Sequence, residues 1–390
     1  MWSIKERRKI ILSRRTVILF AMDIMILSLI FNGNRFGAGL SFVMLPFLLA
    51  FGIIFLYTFR THKGLKQYLI NVLICLSAVY STSISPVVSW GVTGYSLIIF
   101  NLFYIMVTHV NFDEAMIKHM IKFYSIAVLL ISALMFISYC AGYNVVNGRI
   151  SIRFMGVRKD ENYLSAFLVF GYLYFLYKFL FGKEKRLFLI SAAALIFVAI
   201  YLTGSRAAFI SLALSSFLLI SRLILAEGIS VKGLAVVALL LVVGILGFQY
   251  LQTTSLFDRM MDADSYSDNI RLRIWGYAMQ AFLNNPVWGS GVASGTYYAQ
   301  LYLRWYTHSC FIDIITGQGI IGAILYIGLF IQLLKVKRTN IVFMAALIIS
   351  FFCPMFFING YETATFWIPM AIAKIISDYC KYNDIQRIME

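Results

Sequence analysis

Charged residues are scarce in this chain of 390 residues, and their scarcity excludes an ordinary soluble domain. Lys, Arg, Asp and Glu make up 13% of the sequence, whereas hydrophobic residues make up 61% and the mean hydropathy is +0.84. Soluble domains are about a quarter charged and about half apolar. The composition therefore predicts a polytopic membrane protein, and the length allows about a dozen spans of roughly 20 residues each.

Cysteine and histidine are too few and too scattered for a structural metal site or a disulfide framework. The five cysteines form no Cys-x-x-Cys pair and no Cys/His cluster. Asp258, Asp262, Asp264 and Asp268 are close together, but they lack the glycine and the closing glutamate of a calcium-binding EF-hand loop. We therefore expect neither a metal nor another cofactor.

Acidic residues are in the minority, since 17 Asp and Glu accompany 33 Lys and Arg, for a formal net charge of +16. A nucleic-acid-binding surface would need basic residues interleaved with aromatics in a soluble segment. No such segment is present, so we expect no nucleic-acid partner. In a membrane protein the excess collects in cytoplasmic loops, where it meets anionic membrane lipid. The basic stretch 1–9 lacks a small-residue cleavage site, which predicts a cytoplasmic anchor and not a removable signal peptide.

Twelve apolar segments predict an all-α fold with about 12 transmembrane helices, ten or eleven being the alternative. They cover about 16–31, 40–58, 68–85, 92–110, 122–141, 162–181, 187–203, 206–225, 231–250, 308–334, 339–358 and 362–379. With the N-terminus inside, 23 of the 33 Lys and Arg fall on the inner side and 10 on the outer side. We expect a single integral membrane domain over 1–390, two cytoplasmic termini, and one long extracytoplasmic loop, 251–307, with short amphipathic helices.

Basic residues on the predicted outer side are mostly arginine, and they gather in the loop 142–161, the turn 203–206 and the loop 251–307. Arginine binds phosphate oxygens through two parallel hydrogen bonds, whereas lysine would anchor a loop equally well. Arg206 is the clearest case, because it lies between two apolar runs, where an unpaired charge is costly. Random variation of surface charge is the alternative explanation. The pattern favours an outer site for an anionic, lipid-linked substrate.

The long loop is expected to begin as a polar, acidic flap and to continue as a helix. Asp268 or Asn269 would serve as the N-cap, and apolar residues recur at helical spacing over 270–282, before Asn285-Pro286 ends the pattern. The glycine-rich stretch 289–295 lacks the Lys-Ser/Thr ending of a phosphate loop. We expect it to form a tight backbone turn close to a ligand.

His308 lies at the predicted outer end of the tenth span, just after the basic and aromatic segment 304–306. The other three histidines, His62, His109 and His119, fall on the predicted inner side. A histidine at a helix start is commonly structural, but a neutral imidazole also titrates in the range of a general base. The outer arginines favour a chemical role for His308.

Four short patterns follow one another between about 155 and 330. Asp160-Glu161-Asn162 enters the sixth span, and Thr-Gly-Ser-Arg-Ala-Ala occupies 203–208. Arg-x-x-x-Trp at 271–275 precedes Pro-x-x-Gly-x-Gly at 286–291, and His308-Ser309 leads into a helix with Gly319 and Gly322. In order and spacing this set resembles the O-antigen polymerase and O-antigen ligase superfamily of bacterial envelope polysaccharide enzymes. Glu161 departs from the proline that is usual in the first pattern.

The resemblance implies a membrane glycosyltransferase that acts on an undecaprenyl diphosphate-linked oligosaccharide at the outer face of the bacterial cytoplasmic membrane. Transfer would proceed with inversion and without a metal. Fixed arginines would stabilise the charge that develops on the leaving diphosphate, and a base would accept the proton of the acceptor hydroxyl. We assign Arg206 and Arg271 to the diphosphate, and His308 to the base or to orienting the hydroxyl. Further candidates for phosphate or glycan contact are Arg153, Arg158, Arg273, Arg304 and Trp275.

Several functions fit this set of residues. The leading hypothesis is a polymerase that joins lipid-linked repeat units into a capsule or O-antigen, for which a chain-length regulator protein is a candidate partner. A ligase that transfers the finished glycan to a lipid or another acceptor is the alternative within the class. A flippase or transporter for the same lipid-linked sugar is expected to carry charges at mid-membrane depth and repeated halves, which the sequence does not favour. A receptor or scaffold is the remaining alternative.

Overall fold

The computed structural model describes residues 4–31, 49, 51–53, 55–56, 68–146, 148–154, 157–182, 186–227 and 266–389. These residues are mostly helical, as an all-α membrane protein requires. Five of the described helices are long and apolar enough to cross a membrane, and three shorter apolar helices accompany them. The protein is therefore a multi-pass membrane protein, while the count of 12 spans and the placement of the termini stay predictions.

In chain order the helices are α1 (Ile4–Phe31), α2 (Leu69–Ser83), α3 (Val92–His109), α4 (Glu114–Cys140), α5 (Glu161–Phe181), α6 (Arg186–Leu202), α7 (Arg206–Glu227), α8 (Tyr266–Asn284), α9 (Ser294–Leu303), α10 (Cys310–Leu333), α11 (Ile341–Phe352), α12 (Ala364–Cys380) and α13 (Gln386–Met389). The 3₁₀ turns Arg338–Asn340 and Cys353–Phe357 flank α11. Between α4 and α5, β1 (Val145–Val146) pairs with β2 (Arg149–Ile150), and β3 (Arg153–Phe154) pairs with β4 (Val157–Arg158), both antiparallel.

Most apolar segments match helices closely, and the differences have local causes. The segment predicted at 122–141 is a helix that already begins at Glu114, because the side chain of Asp113 accepts a hydrogen bond from the amide of Met116 at 2.8 Å and caps it. The predicted segment 231–250 and most of 40–58 lie outside the described residues, as does the acidic part of the long loop up to 265.

The centre of the bundle is formed by α5 and α12, which are buried on nearly every face. A helix that is apolar all round belongs in such a position. On α12 the ring of Trp367 lies 5.7 Å from that of Tyr104 on α3 and 6.2 Å from that of Tyr326 on α10. These edge and tilted ring contacts connect helices that are far apart in the sequence.

The long loop was expected to carry short amphipathic helices, and its described part is helical. Its described part is a hairpin of the 19-residue α8 and the 10-residue α9, and both helices pack against α10. The N-cap prediction was wrong. Because α8 begins at Tyr266, Asp268 and Asn269 lie inside its first turn.

The tip of this hairpin is joined to α10 through backbone hydrogen bonds. Gly319 interrupts α10 with a non-helical conformation, φ 64° and ψ −159°. The segment 286–291 fills the interruption. Its amides at 290 and 291 donate to the carbonyls of 316 and 317 at 2.9 and 3.0 Å. The amides of 320 and 321 donate to its carbonyls at 286 and 287 at 2.9 and 3.2 Å. The backbone groups that the break in α10 releases are thus satisfied by the hairpin tip.

The glycines of the tip make this close backbone contact possible, as the expected tight turn requires, while ligand contact stays a prediction. Gly289 has φ 79°, and a Cβ on it would lie 2.4 Å from the carbonyl oxygen of Gly317. Only glycine allows two backbones to approach so closely in a left-handed conformation.

Candidate functional site

Arg271 and Trp275 lie on one face of α8, as their spacing of four residues predicts. The indole Nε1 of Trp275 donates to the carbonyl of Thr307 at 2.9 Å. The guanidinium carbon of Arg271 lies 5.8 Å from the centre of the Phe357 ring, a cation–π distance. The Phe357 ring is also 6.2 Å from that of Trp275. The structure therefore places Arg271 beside the chain segment that carries His308.

His308 immediately precedes the N-cap of α10. Ser309 is the cap, since its hydroxyl accepts from the amide of Ile312 at 3.3 Å. His308 itself has φ 50°, a left-handed conformation that is uncommon for residues other than glycine and that is frequent at functional sites. Its ring lies 6.0 Å from that of Trp305.

The charge state of His308 depends on its neighbours. Burial lowers the pKa of the imidazole, the positive charge of Arg271 lowers the pKa further, and the carboxylate of Asp160 opposes them. The net direction favours a neutral ring, which is the form that can accept a proton. Asp160 is thus close enough to act on His308, although the two residues are far apart in the sequence.

Arg206 is the first residue of α7 and is half-buried. The turn before it is short because Gly204 adopts φ 62°. Thr203 is fully buried, and its hydroxyl donates to the carbonyl of Ile200 at 2.6 Å. The first residue of a helix is a favourable place for binding an anion, since the backbone N–H groups there have no partner within the helix.

Arg149 connects this turn to α5, and the sequence had not singled it out. Its Nε donates to the carbonyl of Thr203 at 2.5 Å, and Nη2 donates to Oδ1 of Asn162 at 3.2 Å. Nη1 lies 3.5 Å from the carboxylate of Glu161. The available signals were its place in the outer loop and the unusual glutamate at 161, but neither identifies the partner.

The Asp160-Glu161-Asn162 pattern now has a structural role. The carboxylate of Asp160 accepts from the amide of Asn162 at 2.8 Å and caps α5. One turn further on, the hydroxyl of Tyr163 donates to Asn359, with 2.7 Å to the backbone carbonyl and 2.5 Å to the side-chain oxygen. The start of α5 is therefore joined to the segment 358–363, which precedes α12.

The same segment meets the start of α10. The amide of Cys310 donates to the carbonyl of Ile358 at 2.7 Å. The 3₁₀ turn Cys353–Phe357, which ends at the ring beneath Arg271, packs against α7, the helix that Arg206 begins. A series of contacts thus joins the segments that carry Arg271 and His308 to α7, the helix that Arg206 begins.

The four remaining predicted arginines are distributed over the β3–β4 hairpin and the α8–α9 hairpin. Arg153 and Arg158 are backbone partners in the β3–β4 hairpin, and Arg153 is exposed. Arg273 is exposed on α8, and Arg304 is exposed at the end of α9 with φ 56°. Trp275 belongs to this series of contacts through its bond to Thr307, and a binding role of the four arginines stays a prediction.

Two titratable groups near this end were also missed by the sequence reading. Burial raises the pKa of Glu362 to about 7. Burial lowers the pKa of Lys159 to about 8, with Asp160 opposing, and its ammonium donates to the carbonyl of Leu29 at 2.9 Å. Glu362 and Lys159 were not nominated because a single charged residue beside an apolar or mixed stretch forms no repeating pattern in the sequence.

A separate cavity of about 380 Å³ lies at the opposite ends of α3 and α12. Its lining includes Thr108, Asn111, Asp378, Lys381 and Asn383. None of the predicted site residues lines it, so we do not connect it with the chemistry. Within the described ranges, no group of three His, Cys, Asp or Glu residues is arranged to hold a metal ion.

The fold defines a multi-pass membrane protein, and Arg206, Arg271 and His308 are its candidate site residues. Residues 191–327, which include Arg206, Arg271 and His308, match the family model for the O-antigen ligase domain. The match confirms the resemblance to the O-antigen ligase and polymerase superfamily. It also supports a glycan-transferring membrane function that acts on lipid-linked oligosaccharides. None of the curated proteins compared with the chain gives a significant match.

Proposed function

We propose that this protein polymerises undecaprenyl diphosphate-linked oligosaccharide repeat units into a surface polysaccharide at the outer face of the bacterial cytoplasmic membrane. The observation that carries the proposal is the position of Arg271 next to His308, inside the segment that matches the O-antigen ligase family. One group can bind a diphosphate and the other can accept a proton, and together they serve a glycosyl transfer.

The chemistry follows from these two groups and Arg206. The oxygen of the acceptor hydroxyl attacks the anomeric carbon of the donor sugar while the bond from that carbon to the diphosphate oxygen breaks. His308 accepts the hydroxyl proton, for which its lowered pKa keeps the ring neutral. Arg206 and Arg271 stabilise the negative charge that the leaving diphosphate gains. A single displacement inverts the configuration at the anomeric carbon and requires neither a metal nor a covalent enzyme intermediate.

Arg271 is suited to this task because its guanidinium carbon lies 5.8 Å from the centre of the Phe357 ring, within cation–π distance. This contact restricts the side chain, so less conformational entropy is lost when it binds phosphate oxygens. The start of α7 supplies backbone N–H groups beside Arg206. Both features favour an anion over a neutral ligand.

A ligase that transfers the finished glycan to a separate lipid acceptor uses the same residues and differs in the acceptor alone. The test is an assay of the purified protein in nanodiscs with lipid-linked repeat units extracted from the host. Ladders of products from this substrate alone support a polymerase. Products that appear only after addition of a second lipid acceptor support a ligase.

The site assignment is tested by R206A, R271A and H308A in the same assay, with R186Q as the matched control. Arg186 is an exposed arginine at the far end of α6 from the Arg206 turn. We expect each site variant to insert into the membrane and to lose product by at least about 100-fold, as removal of one charge-stabilising donor costs. Full-length product from all three variants would refute the assignment.

A further inference from the structure

Arg149 occupies the junction of three segments that are separate in the sequence. Its guanidinium is hydrogen-bonded to the carbonyl of Thr203, the first residue of the turn 203–206, and to the side chain of Asn162. It also forms an ion pair with Glu161. The side chains of Arg149 and Glu161 are 15% and 12% exposed, so water screens this pair only weakly.

We propose that Arg149 is a positioning residue that fixes the turn between α6 and α7 and thereby sets the direction of Arg206. The inference rests on the proposed function, in which Arg206 binds the donor diphosphate. Arg149 itself uses Nε, Nη1 and Nη2 on protein groups. Three of the directions in which a guanidinium binds are therefore already occupied within the protein.

The turn needs such support for a reason that is local to it. Thr203 directly follows the last residue of α6, where a carbonyl has no amide partner within the helix. A cation at a helix C-terminus is favourable, because the negative end of the helix dipole lies there. Arg149 supplies both the hydrogen-bond donor and the positive charge. The carbonyl that it binds belongs to Thr203, three residues before Arg206. A shift of the Thr203 carbonyl would turn the first residues of α7 away from the site.

Glu161 connects this device to an unusual feature of the sequence. It occupies the first residue of α5, where the related pattern has proline. Proline and glutamate both suit the first turn of a helix, but only the carboxylate can pair with a guanidinium. In this protein Glu161 and Asn162, in the first turn of α5, thus hold the side chain of Arg149 in the position from which it binds the Thr203 carbonyl.

Four variants of the full-length protein in nanodiscs test the proposal: R149Q, R149K, E161Q and the charge-reversed R149E/E161R. The assay varies the concentration of lipid-linked donor and records KM and kcat separately, and the thermal unfolding midpoint checks folding. We expect R149Q to lower kcat/KM by about 10- to 100-fold, the loss that a misplaced binding group causes. R149K keeps one donor and should be intermediate, and E161Q, which leaves the Thr203 bond in place, should lose least.

The charge-reversed variant separates positioning from simple stabilisation. It restores an ion pair, but a glutamate at 149 cannot donate to the Thr203 carbonyl, so we expect no recovery of kcat/KM over R149Q. Recovery to the wild-type value would overturn the proposal, as would an R149Q variant as active as the R186Q control. If R149Q does not fold, R149K and E161Q decide the question. The proposal would then be overturned if both of these variants were as active as the wild type. If R206A itself is fully active, the proposed function fails instead.

Discussion

Gly319 in α10 and Gly289 in the hairpin tip approach each other so closely that a side chain on Gly319 would have no room. A Cβ there would lie 2.6 Å from the amide nitrogen of Gly289 and 2.4 Å from the carbonyl oxygen of Val287. Real Cβ atoms do not approach backbone atoms at such distances. The break in α10 and the tip of the α8–α9 hairpin are therefore one structural unit, and that unit sets how α8, with Arg271, lies beside the start of α10, with His308.

Gly319→Ala should disrupt the packing of the α8–α9 hairpin tip against the break in α10. The change forces a side chain into a conformation that only glycine adopts readily, at a cost of roughly 1–3 kcal/mol before the clash with Val287 is added. We expect a lower unfolding midpoint together with a loss of product. Gly276→Ala is the matched control, because its Cβ would meet nothing within 4 Å on the helical α8. An unfolding midpoint for Gly319→Ala equal to that of the control would show that the hairpin tip and α10 do not depend on this close contact.

Arg206→Lys tests whether the shape of the cation matters at the start of α7. Lysine keeps the positive charge but lacks the planar fork that binds two phosphate oxygens at once. We expect at least about a tenfold fall in kcat/KM, measured with the lipid-linked donor, since one good hydrogen bond to a charged group is worth about 1.5–3 kcal/mol. Unchanged kinetics would show that Arg206 contributes only charge.

The pH dependence of His308 should respond in opposite directions to its two charged neighbours. Arg271 lowers the pKa of the imidazole and Asp160 raises it. Arg271→Gln should therefore move the titration to higher pH, and Asp160→Asn should move it to lower pH. The rate of diethyl pyrocarbonate modification against pH measures this, in a background where His62, His109 and His119 are replaced. Shifts of the same sign in both variants would rule out this arrangement of charges.

Glu362 should make the stability of the protein fall as the pH rises. Its folded-state pKa of about 7 lies above the ordinary value of 4.5, so the folded protein binds the proton more tightly than the unfolded chain does. The resulting stabilisation is complete below about pH 4.5 and is lost as the pH passes through about 7. Thermal unfolding at pH 5 and pH 8 should show a smaller difference in Glu362→Gln than in the wild type. An equal difference in both proteins would assign the pH dependence to other groups.

The helices were largely predictable from the sequence, and the connections between them were not. The segment predicted at 162–181 is the helix Glu161–Phe181, because a long apolar run between a capping aspartate and Gly182 has few other ways to fold in a membrane. The contact of Tyr163 with Asn359 spans 196 positions, and no local pattern encodes it.

The same holds for the candidate site, whose residues could be nominated from the sequence while the contacts between them could not. Residue type and predicted side of the membrane were enough to nominate Arg206, Arg271 and His308. The partner of Arg149 could not be found this way, because it is a backbone carbonyl, and every residue has one. The break at Gly319 was hidden for a similar reason, since a glycine inside an apolar run is also compatible with an unbroken helix.

The joint between the hairpin tip and α10 uses main-chain atoms on both sides. Its geometry therefore depends on where glycine stands and very little on the identity of the residues between the glycines. Evolutionary drift can exchange Val287 or Trp288 for other side chains and leave the register of the joint unaltered. A protein built in this way can change most of the side chains around the joint and still hold α8 against α10 in the same position.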